Sequence, residues 1–389
     1  MKLLVLFSRF PYPLEKGDKL RAFYQLKYLS KNNKIYCICL NDRHLKKEEI
    51  EKVSVFCEEL HIIKINWWTK IFNIILFYFK GLPIQCGYFY SHQAQRLINK
   101  HIERIKPEHL YGQLVRVAEY IKHSTIKKTI DYQDVLSKGM HRRYEKEPTI
   151  LKFFYFLEYK RLAKYEEYIF DFFDHHTIIT GVDRDLIPHP QYNKIAVIAN
   201  GVDFDTYHYD GQPKQYDLIF SGNMSYLPNV DAAQFLVQRL FPELKKTFPD
   251  LTLVICGANP SLKVKNLESK DIIVTGWVNS MADYYSKSRI FIAPMQLGTG
   301  LQNKLLEAMS VQLPCVTSTL AGMPLANVQA GKEILICNTL TGYVDAVSML
   351  LTSPSLYEEI SQNGFQFVSN NYNWEQTTAQ LEALFELSE

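Results

Sequence analysis

The chain lacks an apolar run long enough to cross a bilayer, a Cys-x-x-Cys pair, histidines and cysteines at metal-ligand spacing, low-complexity segments and short-period repeats. Each absence removes a class. A membrane-spanning helix needs about 20 consecutive apolar residues. The amino-terminal stretch from Met1 to Phe7 turns polar at Ser8-Arg9, too short for a span or a secretory leader. Seven cysteines, at 37, 39, 57, 86, 256, 315 and 337, sit mostly in apolar strand-like runs, as small core residues of a reducing compartment do. His175 and His176 are adjacent, so a strand points them to opposite faces, and no metal is expected. No aromatic RNP motif or zinc module is present, and no nucleic-acid partner is expected. A cytoplasmic globular protein is the expectation.

The 389 residues exceed what one core usually organises, so two domains are expected. A formal net charge of +3 conceals an asymmetry. Residues 1–190 carry 32 Lys and Arg against 22 Asp and Glu, while residues 191–389 carry 12 against 19. A basic front half suits an anionic partner such as a phospholipid surface or a phosphorylated substrate, and equally a lysine-rich solvated surface. Within it, Trp67 to Lys80 is crowded with aromatic and aliphatic residues bracketed by lysines. Such a stripe is the usual way a helix joins a core, and this is the expectation; the same composition also suits a membrane interface.

Apolar strand-like runs alternate with loops and helical stretches throughout. Lys2 to Phe7, Ile35 to Leu40, Leu60 to Ile65, His109 to Gly112, Lys127 to Asp131 and His176 to Thr180 read as strands in the first half. The pattern restarts after a turn-rich stretch near Gly211 and Pro213, with strands at 217–221, 251–256, 272–274, 290–293 and 314–318. Asn229 is expected to cap a helix that runs to about Lys246. Two α/β units in series follow, each a doubly wound parallel sheet.

The segment Arg289 to Ser310 concentrates the chemistry. An apolar strand, Ile290 to Ala293, leads into a loop with Gly298 and Gly300 and then a helix carrying Lys304 and Glu307. Such a loop lies at a strand's carboxyl end, where open parallel sheets bind ligands. Amides at a helix start favour an anion, Lys304 adds a cation, and Glu307 can accept from hydroxyls. A phosphate joined to a sugar would fit.

Order and spacing of several motifs carry a resemblance. Ser221-Gly-Asn with Pro228-Asn, Ile255-Cys-Gly-Ala-Asn-Pro260, Thr275-Gly-Trp277, Gly298-Thr-Gly300 with Lys304-Leu-Leu-Glu307, and Pro314-Cys-Val-Thr-Ser together resemble the carboxy-terminal half of a GT-B glycosyltransferase of family 4. Asn200-Gly-Val-Asp203 is similar to that family's interdomain link. In the front half, Ser8 to Pro13 with Lys16-Gly-Asp18 and Arg21, and Asp131-Tyr-Gln-Asp134, resemble a branch found in bacterial polysaccharide clusters.

The resemblance implies the fold class α/β: GT-B, two doubly wound Rossmann-like parallel-sheet domains facing across a cleft. It places an acceptor-binding domain at 1–200 plus a returning helix at 370–389, and a nucleotide-sugar domain at 201–369. It implies a retaining, metal-independent transfer from a UDP- or GDP-linked donor, with no other cofactor. The acceptor would be a glycan or a polyprenyl-diphosphate-linked molecule in surface polysaccharide synthesis (capsule, O-antigen or exopolysaccharide). The location would be cytoplasmic, peripheral to the inner face of the plasma membrane. Lys304, Glu307, Asp18 and Asp131 are the expected catalytic residues. Gly17, Arg9, Arg21, Gly222, Asn223, Gly298, Thr299, Gly300 and Leu301 join Lys304 and Glu307 around the donor and its phosphates. Asp18 also suits a helix cap, and Asp134 another.

Three features depart from the family's pattern. Thr299 stands where the first carboxylate of Glu-x7-Glu would lie, and the loop Gly222 to Pro228 lacks the usual Arg and Lys. Lys304 and a front-domain cation, Arg9, Lys16 or Arg21, would then supply the positive charge. Two alternatives stay open: a sugar-nucleotide 2-epimerase of the same architecture, and a degenerate binding or scaffold subunit.

Overall fold

The computed structural model describes residues 1–146, 148–298 and 300–387. It divides into two compact units, Met1–Ala199 with Glu375–Glu389, and Asn200–Trp374.

The first unit is built on a seven-stranded, wholly parallel sheet. Its strands are β1 (Lys2–Phe7), β2 (Lys34–Asn41), β3 (Glu59–Lys64), β4 (His109–Gln113), β5 (Lys128–Gln133), β6 (His175–Ile178) and β7 (Ala196–Val197), in the order β3-β2-β1-β4-β5-β6-β7. Central strands covered on both faces must be apolar throughout, which is why β1 reads Leu-Leu-Val-Leu-Phe without alternation. Its side chains divide by parity: Leu4 and Leu6 join one core layer, Leu3, Val5 and Phe7 the other. The Trp374–Glu386 helix belongs to the second layer through Leu381 and Phe385. Glu382 accepts from Asn32 and Asn33, and Glu375 pairs with Lys31.

The second unit repeats the plan with six parallel strands, β8 (Tyr216–Ser221), β9 (Leu253–Cys256), β10 (Ile272–Gly276), β11 (Ser288–Ala293), β12 (Cys315–Thr317) and β13 (Leu335–Ile336). Their order is β10-β9-β8-β11-β12-β13. The first crossovers run one way from β8 and the next starts on its other side, so the strand order reverses between β8 and β11. At such a point the two turns diverge above and below the sheet and leave room for a ligand.

Two local expectations change. Asn229 does not cap its helix: the helix is Leu227–Phe235, with Tyr226 at the cap position and Pro228 in the first turn. Proline suits that turn because its missing N–H has no intrahelical partner there. The return to the first unit begins at Glu375 rather than 370, because the Pro354–Asn371 helix stays with the second unit. Gly201 explains part of the link motif. A Cβ there would lie 2.3 Å from the Trp374 backbone nitrogen, so only glycine lets the chain leaving the second unit pass the chain entering it.

Candidate active site

The turns after β8 and β11 meet through side chains. Lys304 lies in the first turn of the Asn303–Ser310 helix and donates from Nζ to Asn229 Oδ1 at 2.7 Å. Asn229 Nδ2 in turn donates to the Asn223 carbonyl at 2.9 Å. Gly222 sits beneath them with φ +149°, and a Cβ there would fall 2.6 Å from Asn229 Nδ2 and 3.1 Å from Lys304 Nζ. Gly257, at the end of β9, faces the Gly222 carbonyl so closely that its Cβ would lie 1.7 Å from that oxygen. The glycines let three strand ends converge.

The β11 turn has its own backbone requirement. Gly298 and Gly300 adopt φ +109° and +76°, conformations that side chains disfavour. Thr299 between them lies outside the described residues. Leu301 is half-buried, and no side chain caps the helix that begins at Asn303. Its first-turn amides therefore keep their capacity for an anion.

One turn further along that helix, Glu307 anchors a second network. Ser221 Oγ lies 2.7 Å from the Tyr285 hydroxyl, which donates to Glu307 Oε2 at 3.2 Å. Tyr285 is wholly buried at the end of β8, carried by the Met281–Ser286 helix. Desolvation pulls the Lys304 ammonium down to about 7, against the pull of Glu307. Desolvation also pushes Glu307 up to about 7, opposed by hydrogen bonds from Tyr285 and Tyr207 and by the Lys304 charge. An amine and a carboxyl that both change charge near neutrality suit a ligand with an anionic and a hydroxylated part.

Residues 215–353 match the family model described as "Glycosyl transferases group 1". That match lies within the second unit, Asn200–Trp374. The chain is 22% identical to an uncharacterized 44.6 kDa protein in the cps region of Klebsiella pneumoniae, with 96% of each covered. Among solved structures it resembles HepE of Anabaena in complex with UDP-glucose, with a TM-score of 0.68, 10% identity and 100% of both chains covered. It also resembles the sucrose-phosphate synthase of Thermosynechococcus elongatus, with a TM-score of 0.68, 12% identity, and 99% and 98% covered. The fold is GT-B, with two Rossmann-like domains.

The front-unit residues expected to take part fall into two sets. Arg9 and Asp18 pair with each other at 2.9 Å, Arg9 following β1 and Asp18 in the first turn of the Gly17–Leu29 helix. Lys16 holds that helix's cap position, so Asp18 is not the cap. Gly17 is exposed, with nothing within 4 Å of its Cβ position.

Arg21 and Asp131, expected at the site, belong to the core instead. Both side chains are wholly buried, joined by Arg21 Nε to Asp131 Oδ2 at 2.6 Å. Tyr111 donates to the same oxygen, and Arg21 also reaches the Ile198 carbonyl. A buried charge persists only when paired, and each of these two serves as the other's partner in the core. Neither is available to a diphosphate or a sugar hydroxyl.

Asn229 and Tyr285 were missed as site residues. Asn229 was read as a cap, and Tyr285 stands in an ordinary helical stretch whose position relative to Glu307 depends on sheet order. Among the described residues one metal-capable group forms, Glu59, His61 and His101, with ligand atoms within 4.8 Å of one another. Both Glu59 oxygens already accept from Arg104, which also approaches His101 Nδ1 at 3.2 Å. Arg104 and His61 hold the Glu59 carboxyl down at about 2, so the group is occupied as an ion pair.

Proposed function

We propose that this chain is a retaining glycosyltransferase that moves a sugar from a UDP- or GDP-linked donor to a glycan or polyprenyl-diphosphate-linked acceptor in bacterial surface polysaccharide synthesis. The single observation that carries the reading is the pairing, on one short helix at the strand-order reversal, of a desolvated Lys304 with a half-buried Glu307 held by Tyr285. The group 1 match, the cps-region relative and the likeness to HepE support it.

In this reading the donor diphosphate lies against the first-turn amides of the Asn303–Ser310 helix and the Lys304 ammonium. Cleaving the anomeric bond releases negative charge onto the diphosphate, and fixed donors aimed at that charge stabilise the transition state more than the ground state. Gly298 and Gly300 let the turn approach the phosphates, and Gly222 and Asn223 line the neighbouring turn. Glu307 accepts from the ribose hydroxyls, since a carboxylate is a pure acceptor. Lys304 and the amides meet the leaving group's charge, so this scheme assigns no step to a metal. The acceptor oxygen bonds to the anomeric carbon on the face that the diphosphate leaves, and an oxygen of the departing diphosphate takes the acceptor's proton, which retains configuration. Arg9 and Asp18 remain for the acceptor or its charge, and the acceptor would be met at the inner face of the plasma membrane.

The test is donor hydrolysis and sugar transfer by the full chain with a panel of UDP- and GDP-sugars, alongside Lys304→Ala and Glu307→Ala. The expected result is a loss of about a hundredfold or more in turnover for Lys304→Ala, the scale of removing one donor aimed at developing charge. Wild-type turnover in both variants would remove the site. An epimerised nucleotide sugar formed without acceptor would replace the activity with a 2-epimerase.

A further inference from the structure

The Trp67–Phe79 helix is turned the opposite way from an ordinary surface helix. Trp67, Trp68, Ile71, Phe72, Ile75, Tyr78 and Phe79 are exposed, Phe79 to 81% and Trp68 to 68%, while only Asn73 and Phe77 are buried. Positions 67/68, 71/72, 75 and 78/79 share one helical face. The expectation of a stripe facing the core is therefore overturned.

The orientation is held from beneath. Asn73 Nδ2 donates to the Tyr90 carbonyl at 2.8 Å, and Gly87 packs so tightly that a Cβ would fall 2.7 Å from the Asn73 carbonyl and 2.9 Å from Phe77. Rotating the helix to bury its aromatic face would bury no compensating polar partner and break these contacts.

A second helix stands beside it. In Leu151–Phe170, Leu151, Phe153, Phe154 and Phe156 are exposed at the amino-terminal end, preceded by Ile150 at 91%. The Arg161 guanidinium lies 4.4 Å from the centre of the Tyr78 ring. Glu158 turns inward and accepts from the Ile84 and Gln85 amides just beyond the first helix. At the exposed end a recess of about 400 Å³ opens, lined by Ile150, Phe153, Phe156 and Tyr144 among others. Soluble monomers rarely expose so much contiguous apolar surface unless something binds it.

Charge decides among occupants. Residues 64–80 and 149–170 contain Lys64, Lys70, Lys80, Lys152, Lys160, Arg161 and Lys164, of which Lys70 is paired with Asp42, against the buried Glu158 and Glu166 and the exposed Glu167 near the far end of the second helix. A second copy of this chain docked face to face would set two cationic rims against each other. An anionic lipid surface would complement the rim and take the Trp and Phe side chains at the depth that indole and phenyl rings prefer.

We propose that the Trp67–Phe79 and Leu151–Phe170 helices form one docking surface for an anionic phospholipid leaflet. The inference rests on the glycosyltransferase reading only for the purpose of docking, because vesicle binding requires neither donor nor acceptor. The experiment is co-sedimentation of the full chain with phosphatidylglycerol-containing and pure phosphatidylcholine vesicles at low and high salt. UDP-sugar affinity and the sedimentation state are measured in parallel. Binding to phosphatidylglycerol vesicles should be at least about tenfold tighter than to phosphatidylcholine, and weaker at high salt. Trp68→Glu with Phe72→Glu, and separately Phe153→Glu with Phe154→Glu, should each weaken it about tenfold or more while leaving nucleotide affinity unchanged. Three results would each overturn the proposal: no binding to anionic vesicles, binding by both double variants as tight as that of the unaltered chain, or a chain that dimerises through this face and dissociates when it is altered. Vesicle binding without nucleotide-sugar binding would retain the surface and remove the proposed activity.

Discussion

Lys304 Nζ donates to Asn229 Oδ1 across 2.7 Å, and this bond joins the turns that follow β8 and β11. The amine has the Phe220 ring on another side, its centre 4.8 Å away, and the residue is half-buried. A cation so held is oriented before any ligand arrives, which spares the ordering cost of a free lysine. Replacing Asn229 with Ala should weaken nucleotide-sugar binding by about tenfold, the scale of losing one hydrogen bond to a charged group. Calorimetric titration of the folded variant checks this. Unchanged affinity would show that Lys304 needs no positioning.

The protonation of Lys304 and Glu307 gives the pH dependence. On the proposed roles, Lys304 works as the ammonium, which is lost as pH rises through about 7, and Glu307 as the carboxylate, which is lost as pH falls through about 7. Donor affinity should therefore fall on both sides of a maximum near neutrality. Lys304→Arg should extend binding on the alkaline side, because a guanidinium stays charged. Glu307→Gln should bind more weakly and lose the acid limb. Titration calorimetry from roughly pH 5.5 to 9 reads both limbs.

Tyr285 acts through Glu307. Its hydroxyl hydrogen bond lowers the Glu307 pKa against desolvation, so Tyr285→Phe should raise it further and move the acid limb of donor binding toward alkaline pH. Affinity at neutrality should fall roughly five- to tenfold, the scale of one hydrogen bond to a carboxylate. A stability loss without a shifted limb would reduce Tyr285 to a packing residue.

Close backbone approaches make two glycines irreplaceable. Gly257→Ala meets the Gly222 carbonyl and Gly201→Ala meets the Trp374 backbone, neither of which can swing aside. Each should cost about 3 kcal/mol or more, at the upper end of overpacking. Gly181→Ala, with nothing within 4 Å and no left-handed φ, should be nearly neutral. Urea unfolding of the three variants gives the comparison.

Arg21 and Asp131 should behave as a structural pair. Arg21→Met leaves Asp131 buried and uncompensated, at a cost of about 3–5 kcal/mol. Adding Asp131→Leu should recover part of that loss, which a residue acting only in catalysis would not do. Denaturant midpoints of the single and double variants decide it.

The legible and illegible parts of the chain divide by the range of the interaction. Both parallel sheets and the strand–turn–helix around Lys304 were readable, because uninterrupted apolar runs and glycine turns are local signals. The Arg21–Asp131 pair was read as two site residues because charged groups beside turns look functional until a partner 110 positions away is seen. Asn229 looked like a cap for the same reason. Its polar side chain has local uses, and only the approach of the β11 turn gives it a distant one.

The Trp67–Phe79 helix shows where that boundary lies. Its amino acids determined that one helical face would be apolar and flanked by lysines, since side-chain spacing alone sets a helical stripe. They did not determine which way the stripe would point. That depended on Asn73 finding Tyr90, on Phe77 packing against Gly87 and on Arg161 meeting Tyr78, contacts brought together by the chain's course in the first unit. In the same way the residues from 289 to 310 were sufficient to make an anion-favouring turn, whereas Lys304 reached Asn229 and Glu307 reached Tyr285 only because β11 lies beside β8. Local propensity follows from each residue and its near neighbours, but partnership across a sheet is decided by strand order, which only the packed fold supplies.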